Sequence, residues 1–293
     1  MGRLSTLFAP ERVAVVGATD SEGSVGHAVT TNLLDSFTGE VLAVNPNKET
    51  VLGLQCYDNL VDLDDPASVD VAVVVVPPTV AVDVIENAGE AGIENVVVIT
   101  AGFGETGSDG AERERRLREA AREYDLNLVG PNSLGVMSTP VGLNATFGNE
   151  MASDGDISFM SQSGAFITAV LDWAAERDVG FKDIVSLGNK AVLDESDFVA
   201  EWGDDPDTDV ILGYLEDIEE GTIRCGETEV KKERREVVDA TATPTETQTQ
   251  TQTQTQTPSQ SQRSETQKTE TDVSQSGCNL VFYSHYGSSS CPF

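Results

Sequence analysis

Two glycine-bearing loops, VVGATDSEGSVG at residues 15–26 and MSQSGA at residues 160–165, each follow an apolar run and lead into a helical pattern. Successive backbone N–H groups and the free start of a helix favour anions, so both loops read as phosphate cradles. Lys48, just past a further apolar run, would draw a phosphate toward the first loop; taken alone it equally fits a solvated turn lysine. Of the two histidines, His27 falls at the start of the helix after the first loop and reads as a surface or helix-start residue, while His285 lies in a Ser-His-Tyr-Gly-Ser stretch near the end.

The first loop can be compared with the dinucleotide-binding turn, which calls for G-x-G-x-x-G and an acidic residue about 20 positions on for the ribose hydroxyls. Here the glycines are Gly17, Gly23 and Gly26, and the second strand ends in Asn45-Pro46-Asn47-Lys48 instead of a carboxylate. Lys48 suits a phosphate such as the ribose 3′-phosphate of coenzyme A, so the ligand reads as CoA rather than NAD. Val76-Pro77-Pro78 ends a third strand with rigid backbone that lacks two N–H donors. Ala101-Gly102-Phe103-Gly104 ends a fourth. Gly130-Pro131-Asn132-Ser133-Leu134-Gly135 ends a fifth, where glycines permit close backbone approach and Asn132 offers donor and acceptor. Each cluster alone is ordinary turn chemistry; four at successive strand ends point to a ligand.

The elements that must position these loops alternate. Val13–Val16, Val41–Val44, Val71–Val76, Val96–Ile99 and Leu126–Val129 read as short β-branched strands, with helices over Val25–Leu34, Val80–Ala91 and Gly110–Tyr124. This rhythm predicts a Rossmann-like, doubly wound parallel sheet over residues 1–140, with ligands at the carboxyl ends of its strands. A second parallel α/β unit over residues 141–221 has strands Ile157–Met160, Ile184–Leu187 and Val210–Leu215 and helices Ala165–Glu176 and Glu195–Trp202. Three strands and two helices make a small core, so this incomplete unit is expected to need a neighbour or more chain.

Charge divides the chain. Of 18 Lys and Arg, 7 lie in residues 222–293, and of 50 Asp and Glu, 9 do; residues 1–221 therefore hold 11 basic and 41 acidic residues, a formal −30 of the total −32. Only Lys48, Lys182 and Lys190 are lysines in that part. Such acidity repels nucleic acid and anionic membrane and fits a protein of a salt-rich, halophilic cytoplasm, where screening weakens self-repulsion. No run has membrane-spanning length, and no signal-peptide core opens the chain. Cys56 stands apart from Cys225, Cys278 and Cys291, and none has metal-ligand spacing, so neither a metal site nor a disulfide framework is expected.

Residues 222–293 change character. A charged segment precedes a Thr, Gln, Ser and Glu tract with alternating Thr and Gln, too poor in apolar groups to offset ordering entropy. The expectation is a disordered, low-complexity tail, read as the end of a C-terminally truncated or frameshifted chain.

GATDSEGSVG, NPNK, VPP, ITAGFGE, GPNSLG, SFMSQSGAF, SLGNKA and YLEDI occur in the order found in ADP-forming acyl-CoA (acetyl-CoA) synthetases, and more distantly in the succinyl-CoA synthetase alpha subunit. The resemblance covers about residues 5–221. It implies the reversible conversion of acyl-CoA, ADP and phosphate into acid, CoA and ATP through acyl phosphate and phosphohistidine. It also implies a flavodoxin-like fold for the second unit. By the same resemblance Gly17, Ala18, Thr19, Ser24, Val25 and Gly26 form the CoA loop, and Asn45, Pro46 and Lys48 hold the nucleotide end. Val76, Pro77 and Pro78 line the CoA arm, with Asn132 near the thiol. Ser161, Gln162, Ser163 and Gly164 bind phosphate, with Gly188 and Asn189 in the neighbouring loop. Glu216 matches the carboxylate that orients the catalytic histidine; it could instead be one solvent-facing acid among several. The family's histidine follows another helix and strand in a Gly-rich context that this chain does not reproduce. Binding of ADP or ATP with Mg is expected only through an ATP-grasp partner. The readings left open are a synthetase subunit active with that partner, a CoA-binding module without catalysis or truncated remnant, and, disfavoured by loop spacing and Asn45, an NAD-dependent oxidoreductase.

Overall fold

The computed structural model describes residues 4–148 and 150–216, together with the backbone of four short strands beyond them. The chain opens with α1 (Ser5–Phe8) and then builds a sheet from β1 (Arg12–Val16), β2 (Glu40–Val44), β3 (Thr50–Val51), β4 (Leu54–Tyr57), β5 (Val71–Val74), β6 (Asn95–Val98) and β7 (Asn127–Val129). The strand order is β3-β4-β2-β1-β5-β6-β7. All pairings are parallel except the short β3–β4 hairpin, and Val13 of β1 lies opposite Val41 of β2 and Val71 of β5. Helices α2 (Val25–Ser36), α3 (Pro78–Ala91) and α4 (Ser108–Glu123) make the crossovers. Because the chain leaves β1 for β2 on one side and returns to β5 on the other, the order reverses at β1, and the loop after β1 opens into the crevice used by such sheets for ligands.

Successive residues of the central strands point to opposite faces, and both faces are buried, which is why these strands are apolar runs and not alternating ones. Ala14, Val16, Ala72, Val74, Val96 and Val98 pack under α3 and α4 through Val82, Ile85 and Leu117. The opposite face, including Val13, Val15, Val73 and Val97, packs with Val29 and Leu33 of α2 and shares one cluster with the second unit.

That unit contains β8 (Gly135–Ser138), β9 (Leu143–Thr146), β10 (Asp154–Ser161), α5 (Gly164–Ala175), β11 (Phe181–Ser186), α6 (Glu195–Gly203) and β12 (Val210–Leu215). Beyond it, β13 (Thr222–Cys225) pairs with β14 (Thr228–Lys231), while β15 (Thr269–Glu270) and β16 (Asn279–Ser284) extend the second sheet, whose order is β15-β16-β12-β10-β11-β8-β9. β10 runs parallel to β11 and β12, but β8 and β9 form an antiparallel hairpin on β11. The three strands expected of this unit are therefore parallel to one another, and the β8–β9 hairpin adds an antiparallel edge to them. The hairpin starts at Gly135, immediately after the loop that ends the first sheet, so the two sheets follow without a linker.

Helix boundaries follow local chemistry. Ser24 and Ser163 cap α2 and α5 by accepting from the backbone N–H groups of His27 and Phe166. Asp194 and Asp197 close a capping box on α6. α6 then buries Phe198 and Trp202 against Phe8 of α1, with Trp202 ring centroids 5.5 Å from Phe8 and 5.6 Å from Phe198. Met160, Val185, Ile211 and Leu215 join Val13, Val15 and Val73 in the same core cluster. One face of the second sheet thus packs on the first unit, while its other face holds a cluster of its own with Met137, Phe159, Ile167, Phe181 and Ile184.

Candidate functional site

The loop after β1 is built on close backbone approaches. Gly17 has φ of 98°, and a Cβ on Gly26 would lie 2.3 Å from the Gly17 carbonyl oxygen, so the helix start packs against the turn only with glycine there. Ala18 is buried beneath the loop, and Thr19 Oγ1 accepts from the Ser21 N–H. Ser24 sits at the N-cap, followed by the exposed Val25 and the buried Gly26. By helix geometry the first N–H groups of α2 have no intrahelical acceptors.

The end of β2 closes on this loop. Asn45 Nδ2 donates to the Ala18 carbonyl at 2.8 Å, and Asn45 Oδ1 accepts from the Asn47 N–H across Pro46. Lys48 Nζ lies 2.7 Å from Asp20 Oδ1. The hydrogen bond from Lys48 holds the Asp20 carboxyl below the ordinary aspartate range. A cation thus stands beside the loop where a nicotinamide fold would place a carboxylate. Val76, Pro77 and Pro78 lead from β5 into α3, with Pro77 as N-cap and the Val76 carbonyl accepting from Thr100 Oγ1. Gly102, at the end of β6, packs on the Pro78 ring.

At the second loop, Ser161 Oγ accepts from the Ser163 N–H and donates to the Ser163 carbonyl. This small closed turn aims the α5 N-terminus outward, and the N–H groups of Gly164 and Ala165 have no intrahelical acceptors. A Cβ on Gly164 would lie 3.1 Å from Leu134 Cβ. Gln162 Oε1 accepts from the Glu216 N–H at 2.6 Å, which fixes the end of β12 beside the loop. The Phe166 ring stacks on Tyr214 with centroids 4.2 Å apart, holding the first turn of α5 against the same strand. Glu216 is exposed next to this turn. His27 is in the first turn of α2, at the other loop, and His285 lies outside the described residues.

The sites are joined by a fastening that the sequence reading did not anticipate. Residues 189–193 run along the edge of the first sheet, with the N–H groups of Asn189, Ala191 and Leu193 donating to the carbonyls of Pro131, Gly130 and Leu128. Gly188 has φ of 57° and its Cα faces the Pro131 carbonyl so closely that a Cβ would lie 2.2 Å from that oxygen. Asn189 Nδ2 donates to Glu105 Oε2 at 2.7 Å and to Glu114 Oε2 at 2.8 Å, and its Oδ1 accepts from Asn132 Nδ2 at 3.2 Å. The polar atoms of the Asn189 side chain are therefore engaged with protein groups. Burial raises the Glu105 carboxyl, but hydrogen bonds from Asn189 and from the N–H groups of Gly102 and Phe103 outweigh this and hold it below the ordinary range. Lys190 Nζ and Glu195 Oε2 form a buried pair at 3.1 Å under the same loop, and Arg118 donates to the Ala191 carbonyl. Each of the three lysines read as scarce is matched with a carboxylate: Lys48 with Asp20, Lys182 with Asp205, Lys190 with Glu195.

Comparison with known proteins matches residues 11–139 to a CoA binding domain and residues 154–269 to a succinyl-CoA ligase like flavodoxin domain. The second match continues past residue 221. An ADP-forming acetate–CoA ligase I of Archaeoglobus fulgidus is 47% identical over 218 residues, covering 74% of this chain and 31% of that one. The alpha subunit of an ADP-forming acetate–CoA ligase I of Pyrococcus furiosus is 37% identical, covering 74% and 48%. A solved dinucleotide forming acetyl-coenzyme A synthetase 1 of Ca. Korarchaeum cryptofilum, in complex with phosphate and ADP, superposes with a TM-score of 0.71 at 40% identity over 75% of this chain and 47% of that chain. The chain spans less than half the length of each of these relatives.

Proposed function

Because this chain belongs to the ADP-forming acyl-CoA synthetase family, as its CoA-binding, alpha-type portion, we propose that it binds CoA at the β1 loop and phosphate at the α5 N-terminus. In this reading it supplies those sites to the reaction acyl-CoA + ADP + phosphate to acid + CoA + ATP. The observation that carries the reading is the end of β2, where Asn45 is bonded to the loop and Lys48 stands beside Asp20 in place of a ribose-binding carboxylate. Gly17, Ala18, Thr19, Ser24, Val25 and Gly26 surround the diphosphate, Asn45, Pro46 and Lys48 hold the nucleotide end, and Val76, Pro77, Pro78 and Asn132 follow the arm to the thiol.

At the second loop, the α5 N-terminus gathers phosphate and stabilises its charge as an oxygen attacks the thioester carbonyl. The carbonyl–oxygen bond forms, the carbon–sulfur bond breaks, and the products are acyl phosphate and the CoA thiolate. Ser161, Gln162, Ser163 and Gly164 shape this loop, Gly188 and Asn189 belong to the neighbouring one, and Glu216 takes the place of a carboxylate that would orient a phosphoryl-carrying imidazole. Transfer to ADP needs such a histidine and an ATP-grasp module with Mg, so turnover is assigned to a complex with that partner. The acidity of residues 1–221 supports work in a salt-rich cytoplasm.

Two mixtures test the reading. Calorimetry at high salt should give a CoA isotherm and none with NAD; binding of NAD without CoA contradicts the proposal. Mixing the chain with an ATP-grasp subunit and γ-labelled ATP distinguishes the roles: label on this chain supports a synthetase subunit, and CoA binding without label supports the non-catalytic module.

A further inference from the structure

The bridge at Asn189 has a direction. Ionised carboxylates only accept hydrogen bonds, so Glu105 and Glu114 leave the Asn189 side chain one orientation, with its NH2 toward them and its Oδ1 away. That oxygen can only accept, so the Asn132 side chain must in turn present its own NH2 to it. The remaining polar atom of the exposed Asn132 side chain is Oδ1, an acceptor with no donor among the described residues. The backbone of Asn132 is set independently, at φ of 58° with its N–H donating to the Thr100 carbonyl.

We infer that Asn189 is a positioning residue: held by Glu105 and Glu114, it turns the Asn132 amide so that the carbonyl oxygen faces the CoA arm as an acceptor. The substrate group it fits is an N–H of the pantetheine chain near the thiol. The same contacts tie the loop after β6 to the loop after β11, so the acceptor is formed only where the two units meet. This rests on the CoA reading above and adds to it a donor–acceptor polarity and a residue from the second unit.

The test compares Asn189→Ala with the unaltered full chain, using CoA and adenosine 3′,5′-bisphosphate, which keeps the nucleotide end but has no pantetheine arm. Losing an ordered acceptor should weaken CoA about fivefold, the worth of an ordinary hydrogen bond, and leave the bisphosphate unchanged. Asn132→Ala should reproduce the loss, and combining the two should add nothing, because both remove one contact. Equal weakening of both ligands, no weakening of CoA, or additive losses would overturn the inference. If the unaltered chain binds neither ligand, the CoA reading itself fails and this inference with it; binding of both with CoA unaffected by Asn189→Ala sinks the inference alone.

Discussion

Lys48 and Asp183 illustrate how one side chain acquires a role from its surroundings. Lys48 is exposed and paired with Asp20, so its charge is placed beside the β1 loop but partly neutralised until an anion competes for it. Lys48→Ala is expected to weaken CoA by about tenfold or more, as for a lost charge-assisted hydrogen bond, and to leave dephospho-CoA unaffected; titrating both ligands checks this. Asp183 sits in the apolar strand β11, and its Oδ1 and the Trp202 Nε1 are buried without hydrogen-bond partners among the described residues. Burial pushes its carboxyl up to about 6, outweighing the opposing charge of the neighbouring Lys182. The folded state therefore holds this proton more tightly than the unfolded chain. The stabilisation is fully present below about pH 4 and is lost as the pH rises through about 6. Asp183→Asn should remove that decline and raise unfolding free energy at neutral pH by up to about 3 kcal/mol. Denaturant titrations across the range would show it, and an unchanged slope would refute it.

At the scale of elements, the α5 N-terminus depends on its cap. Ser163→Ala should cost about 1 kcal/mol of stability and loosen phosphate binding, measurable by melting with and without phosphate. The central strands and the helices of both units were legible in the sequence because β-branched runs and helical periods alternate and glycine, proline or asparagine ends each run. The β8–β9 hairpin was not: Gly135 to Thr146 carries the glycine and proline signals of a loop, and its burial comes from pairing with β11 and packing against α2. α1 has only four residues, too few for a period, and owes its place to Phe8 packing on Trp202. The two glycine-bearing loops that open α2 and α5 were legible from glycines and flanking runs. The fastening between them was not, since Glu105 and Asn189 are 84 positions apart and no local pattern couples them. Asp183 lies just before the strand expected over Ile184–Leu187, and only the fold, where β11 begins at Phe181, shows it enclosed.

The whole molecule carries both glycine-bearing loops on one packed body, since the core beneath β1 continues through α6 and β12. Its net charge of −32 pushes against that compactness. Salt shortens the screening length from about 10 Å at 0.1 M to about 3 Å at 1 M, so the melting temperature is expected to rise with KCl over that range; a fall would argue against adaptation to salt. The most direct test of the central claim is calorimetric titration of the full chain with CoA and, separately, NAD in concentrated KCl. A saturable CoA isotherm of unit stoichiometry with no NAD heat is the predicted result, whereas NAD binding without CoA binding would contradict the assignment of the β1 loop.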